Sequence, residues 1–166
     1  ILTALLDDAL RLSGHVSLAA GNIGYPFSDA VLSEANQSEA YVVLEISSFQ
    51  AELADDLQLD GLLWTNFTED HLDRYGSMPC YFQAKARLFN CLKCDGICVL
   101  GTQVADWMAN QRKTFEGCSI AHDAADLVLQ LDANSVFQRL PYSKNFSLAV
   151  EFWHLINMPP AALIEA

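Results

Sequence analysis

Two stretches of this chain, Ala40 to Ile46 and Gly61 to Asn66, read as strands that are apolar along their length instead of alternating. A strand with one wet face alternates; a strand covered on both faces does not, and that is the situation inside a parallel sheet. Parallel strands need long crossovers, normally helices. The intervening sequence supplies them: helical spacing runs from Ile1 to Leu10 and stops at Gly14, and Ser28 opens a helix to Glu34. Further helices are expected over Phe49 to Leu57, Pro79 to Leu92, Val104 to Arg112 and Ser143 to Ile156. His15 to Ala19, Gly96 to Leu100 and Cys118 to Ala121 read as additional strands. Residues 124–142 could form a small β-hairpin, from Leu127 to Leu131 and Ser135 to Leu140. The fold class expected is α/β: a doubly wound, mostly parallel sheet with helices on both faces, in one domain spanning 1–166.

Charge narrows the function. Nine Lys and Arg stand against 21 Asp and Glu, a formal net charge of −12, which disfavours a nucleic-acid partner. The imbalance lies entirely in residues 1–73, which hold 13 acids and one base, Arg11; residues 74–166 are neutral. Such an acidic half is either a solvated surface or a cation site. No apolar run approaches the ~20 residues of a membrane span and no basic n-region opens the chain, so neither membrane nor secretion is expected. Five cysteines are odd in number and read as reduced thiols. Cys91, Cys94 and Cys98, with Cys80 upstream, invite a metal reading, but their positions on different apolar elements suit small core residues better.

In open parallel sheets ligands bind at the carboxyl ends of strands. The first apolar strand runs into Glu45-Ile46-Ser47-Ser48-Phe49-Gln50, and the second into Asn66-Phe67-Thr68-Glu69-Asp70-His71-Leu72-Asp73-Arg74-Tyr75. Adjacent strand ends would bring Glu45 and the Glu69-Asp70-His71 group to one edge. Carboxylates with an imidazole suit magnesium; solvated loop acids are the plainer alternative. Lys85 falls on the apolar stripe of Tyr81, Phe82, Leu88, Phe89 and Leu92. A lysine there either snorkels or loses its charge, in the latter case by reacting with carbon dioxide to give an anionic carbamate.

These blocks, with Gly21-Asn22-Ile23-Gly24 before them and Ala84-Lys85 after them, stand in the order and spacing of the Mur ligases, which the chain resembles strongly over residues 1–100 and weakly beyond. Glu45-Ile46-Ser47-Ser48-Phe49-Gln50 after Gly-Asn-Ile-Gly is similar to the branch that adds D-glutamate to UDP-N-acetylmuramoyl-L-alanine in peptidoglycan synthesis. The resemblance implies a P-loop-type central domain of a cytoplasmic, monomeric ligase. ATP phosphorylates the muramoyl-alanine carboxylate, and the D-glutamate amine displaces phosphate from the acyl phosphate. It also implies two Mg2+ ions: Glu45 matches the ligand of one, His71 a ligand of the other, and Lys85 the carbamylated lysine. Asn22, Ser47 and Gln50 match residues holding the muramoyl-peptide end. Near the adenine the family carries His-Asn and an Asn three residues on; here Lys144-Asn145 and Leu148 stand, so Asn145 alone carries over. Leu100-Gly101-Thr102 lacks the usual Asn-x-Asp-Asp continuation.

The resemblance further implies a Gly-rich phosphate loop just upstream of Ile1, a uridine-binding domain before it and a D-glutamate-bearing domain after residue 166. The segment alone is therefore expected to be inactive. Another Mur or folylpolyglutamate-type ligase is one alternative, against which the Ser47-Ser48-Phe49-Gln50 block weighs. A degenerate nucleotide-binding domain without catalysis is the other, opposed by Glu45, His71 and Lys85.

Overall fold

A computed structural model describes residues 1–114 and 116–166. Its strands are β1 (Ser17–Gly21), β2 (Tyr41–Glu45), β3 (Leu59–Trp64), β4 (Leu92–Leu100) and β5 (Cys118–Ile120). Its helices are α1 (Leu2–Leu12), α2 (Phe27–Leu32), α3 (Ser48–Ala51), α4 (Leu72–Tyr75) and α5 (Met78–Ala86), followed by α6 (Thr102–Asn110), α7 (Ala125–Val128), α8 (Tyr142–Leu155) and α9 (Ala161–Glu165). Every described strand pair is parallel, in the ladders β1-β2 and β3-β4-β5, so the α/β class read from the unbroken apolar runs holds. No described helix is long and apolar enough to cross a membrane.

The chain divides into two compact units. The first comprises residues 1–46 and 124–166. Helix α1 buries Leu5, Leu6, Ala9 and Leu10, and packs on β1, β2, α8 and α9. Helix α8 contributes Phe146, Leu148, Ala149 and Trp153, all nearly inaccessible. The Trp153 indole N–H donates to the Pro159 carbonyl at 2.8 Å, fixing the turn into α9.

The hairpin expected over 124–142 is absent. That stretch holds α7 and a 3-10 turn at Val136–Gln138. Local polar groups take the backbone instead: the Asp132 carboxylate accepts from Asn134 N–H, and Ser135 Oγ accepts from Phe137 N–H. Leu129, Val136 and Leu140 stay exposed and Leu131 alone in this stretch is buried, so no alternating buried face exists to fix a strand register.

The second unit, residues 47–123, is built on β3, β4 and β5. Trp64, Phe67, Tyr81, Phe82, Cys98, Leu100, Val104 and Met108 form its core. Two expected helices are shorter than their apolar pattern. Phe49 to Leu57 yields only the one-turn α3; the Pro79 helix ends at Ala86 and tightens to a 3-10 turn over Arg87–Cys91. Strand β4 starts earlier than Gly96 because its amino end carries an irregularity: the step from Leu59 to Gly61 faces the step from Leu92 to Ile97.

At the carboxyl end of β4, Gly101 N–H donates to the Trp64 carbonyl at 2.8 Å. A Cβ at Gly101 would lie 2.0 Å from the Thr65 carbonyl oxygen, a backbone atom that cannot rotate away. Gly101→Ala should therefore lower the urea midpoint by an amount equivalent to about 1–3 kcal/mol, read by circular dichroism.

Candidate active site

Strand β2 ends on Glu45, opposite Gly21 in the parallel register. Gly21 has φ +123°, and a Cβ there would stand 2.1 Å from the Glu45 carbonyl oxygen. Only glycine allows this approach. The same carbonyl accepts the Asn22 N–H at 2.8 Å, and Gly21 N–H donates to the Tyr25 carbonyl at 2.9 Å. The Gly-Asn-Ile-Gly turn thus locks the Glu45 backbone, with the Asn22 side chain exposed beside it. Glu45 Oε2 is buried and has no hydrogen-bond partner. A buried carboxylate oxygen left unpaired is costly, and it is the donor a hard cation takes up.

Asn145 lies in the same unit, half-buried on α8. Leu148, three residues on, is 1% exposed and Lys144 is exposed. Packing accounts for the leucine: its side chain belongs to the core and offers nothing to an adenine.

In the second unit, Ser47 and Gln50 form a reciprocal capping box on α3. Ser47 Oγ accepts from Gln50 N–H at 3.3 Å, and Gln50 Oε1 accepts from Ser47 N–H at 2.9 Å and from Ser47 Oγ–H at 3.1 Å. Both residues have a structural task, and the Gln50 Nε2 group lies outside the box.

His71 precedes α4 with φ 52° and ψ 28°, a left-handed conformation rare for residues with a Cβ. Its N–H donates to Asp70 Oδ1 at 2.9 Å, and its Nε2 lies 3.3 Å from Asp70 Oδ2. Its ring centroid is 4.9 Å from that of Phe49 and 6.2 Å from that of Tyr81. The Lys85 ammonium stands 5.5 Å from the same Tyr81 ring centroid. His71 and Lys85 thus converge on one aromatic platform. Tyr81 is buried and packs on Phe67 and Tyr75. Burial, with Asp70 and Tyr75 adding to it, pushes its phenol above the usual range. Lys85 is half-buried, as its stripe position requires. The platform role of Tyr81 escaped the sequence reading. Its position four residues before Lys85 was the available signal.

Among the described residues, no three His, Cys, Asp or Glu side chains gather to hold a metal. The unpartnered Glu45 oxygen nevertheless fits magnesium, which keeps waters and shares phosphate oxygens instead of filling an all-protein cage.

The Mur ligase middle domain matches residues 4–152 of this chain. The chain belongs to that family. A UDP-N-acetylmuramoylalanine–D-glutamate ligase of Desulfotalea psychrophila is 33% identical over 168 residues, covering 98% of this chain and 36% of the relative. Enzymes of the same name from Desulfitobacterium hafniense (strain DSM 10664 / DCB-2) and Cereibacter sphaeroides are 45% and 48% identical, each over 87 residues and 52% of this chain. Those matches cover 19% and 18% of the relatives, so this Mur ligase segment spans a fifth to about a third of their length.

The cysteines of this Mur ligase domain follow the expectation of small core residues only in part: Cys91 and Cys98 are buried, whereas Cys94, in the irregular amino end of β4, is exposed, as is Cys80. Cys98 faces Cys118 in register across β4 and β5. Burial raises the Cys91 and Cys98 thiols above the ordinary range, and for Cys98 the Cys118 thiol adds to the effect. The thiolate is the nucleophile. Iodoacetamide at pH 8 should label Cys80 and Cys94 in the native protein, and Cys91 and Cys98 only after denaturation, as read by peptide mass spectrometry.

Proposed function

We propose that residues 1–166 form the single central, ATP-binding domain of a cytoplasmic, monomeric ligase that joins D-glutamate to UDP-N-acetylmuramoyl-L-alanine in peptidoglycan synthesis. The observation that carries this reading is the buried, unpartnered Glu45 Oε2, locked at a strand end by the Gly21-Asn22 turn. The names of the relatives, one of them aligned over nearly the whole chain, support the substrate pair.

In this reading ATP phosphorylates the muramoyl-alanine carboxylate, releasing ADP. The D-glutamate amine then attacks the acyl phosphate, and phosphate leaves with its bonding pair. Two anions must meet, so the chemistry Mg2+ supplies when bound is charge neutralisation and alignment. Glu45 and His71 would each hold an ion. Asn22 and the Gln50 amide would contact the muramoyl-peptide end, with Ser47 fixing Gln50 through the capping box; Asn145 would contact the nucleotide. Lys85 would add carbon dioxide to its neutral Nζ with loss of one proton, giving a carbamate for the second ion. A bound cation would favour the carbamate anion over the ammonium that faces the Tyr81 ring.

Two outcomes test this in the complete reading frame that carries the segment. Glu45→Gln keeps the shape and removes the charge. It should lower kcat/KM for ligation by about 100-fold or more, on the scale of losing an electrostatic contact to the reacting groups. Its denaturation midpoint should stay level or rise, since an unpaired buried charge is lost. A variant that loses fold and activity together would make Glu45 a structural cap. Lys85→Arg keeps the positive charge but cannot form a carbamate, so it should be as inactive as Lys85→Ala; stripping carbon dioxide and bicarbonate should reversibly lower wild-type turnover. Near-normal turnover of Lys85→Arg would leave Lys85 a snorkelling side chain.

A further inference from the structure

His71 is held in a left-handed backbone conformation, which is strained for a residue with a Cβ and persists only where surrounding contacts over-determine it. Its own N–H donates to Asp70 Oδ1, and the aromatic packing beside its imidazole converges on one further side chain, Arg74. Arg74 Nη2 pairs with Glu52 Oε2 at 2.7 Å, tying α4 to the end of α3. Its Cζ lies 4.8 Å from the Phe49 ring centroid and 5.8 Å from that of Tyr75. Phe49 in turn stacks on Tyr75 at 6.1 Å and faces the His71 imidazole at 4.9 Å. The Arg74 and Tyr75 backbone N–H groups both donate to the His71 carbonyl at 3.0 Å. Phe49 is exposed, so burial alone does not fix its ring.

We propose that Arg74 is the positioning residue of His71: paired to Glu52, its planar guanidinium holds the Phe49 ring against the imidazole and so sets the imidazole's orientation. The strap rests on the proposed function only for its purpose; its geometry stands without it. A groove between helices would orient a side chain by burial. Here an exposed aromatic is held by a charge, and a planar one, because an ammonium does not stack.

The test uses the complete protein with 13Cε1-labelled histidine, the His71 resonance being assigned by its loss in His71→Gln. Phe49→Leu removes the ring current and sets the direction of the shift. Arg74→Ala should move the His71 resonance in that same direction, Glu52→Gln should move it less, and Arg74→Lys should not restore the wild-type position. If ligation is measured alongside, the Mg2+ concentration for half-maximal turnover should rise by about tenfold in Arg74→Ala, the usual scale for losing a group that orients a ligand. A His71 resonance unmoved in both Arg74→Ala and Glu52→Gln overturns the proposal. If Arg74→Ala fails to fold, Glu52→Gln, which keeps the arginine, decides it. Variants that show these shifts while the wild-type protein shows no ligation would instead overturn the proposed function and leave the strap standing.

Discussion

A glycine pressed against the carbonyl of a neighbouring strand end recurs in both units, and in the first it holds the backbone of the residue on which the proposed chemistry depends. In the first unit Gly21 sits against Glu45; in the second Gly101 sits against Thr65. Parallel pairing commits the strand residues to ladder and core, so polar chemistry can appear only where the strands stop. Close glycine contact brings the neighbouring backbones together at that point and holds the terminal residue rigidly. For Glu45 this means that a side-chain oxygen can stay buried without a partner, because its backbone has no freedom to carry it out to water.

Legibility in the sequence followed the size of the physical signal. The apolar runs at Tyr41–Leu44 and Gly61–Trp64 emerge as strands, and the helical spacing of α1, α6 and α8 as helices, within a few residues of their bounds, although β2 is only half-buried and its Tyr41 is exposed. The segment 124–142 misled because its apolar residues outnumber the buried positions available; Asp132 and Ser135 were the informative residues there. The brevity of α3 follows from Ala54 onward turning without a continued helix, which no propensity in Phe49 to Leu57 announces. In the candidate site, Glu45 and Lys85 stood out because each interrupts an apolar pattern, and His71 because it lies in a polar group just past a strand end. The Ser47–Gln50 capping box was missed, the two residues being named only as substrate contacts, though their Ser-x-x-Gln spacing was a signal for it. Of the Tyr81 platform only the i,i+4 spacing to Lys85 was readable; its contact with His71 and the Arg74 strap were not, since they join residues 10 to 25 positions apart through tertiary packing.

The lopsided charge of the sequence is partly redressed by folding. Within the second unit, Glu52, Asp55 and Asp60 from the acidic half pair with Arg74, Arg87 and Lys93 from the neutral half. Each is an exposed pair contributing little by itself. Together they join the α3 end and the β3 start to the segment between α4 and β4. Of the three, the Arg74 pair alone reaches the aromatic cluster around His71, which is why it can orient and the others only solvate.

The irregular start of β4 has a consequence of another kind. The ladder resumes at Ile97 after leaving Leu92, and the residues between pair with nothing in β3 apart from the Lys93–Asp60 ion pair. This slack lies at the amino end of the strand, whereas Gly101 and its contact with Thr65 lie at the carboxyl end. Length can therefore change there, by insertion or loss of a residue, with the register from Ile97 to Leu100 preserved. Across descendants of this sequence, gains and losses of residues should collect at Lys93 to Asp95, leaving the chemical end of the sheet at constant length.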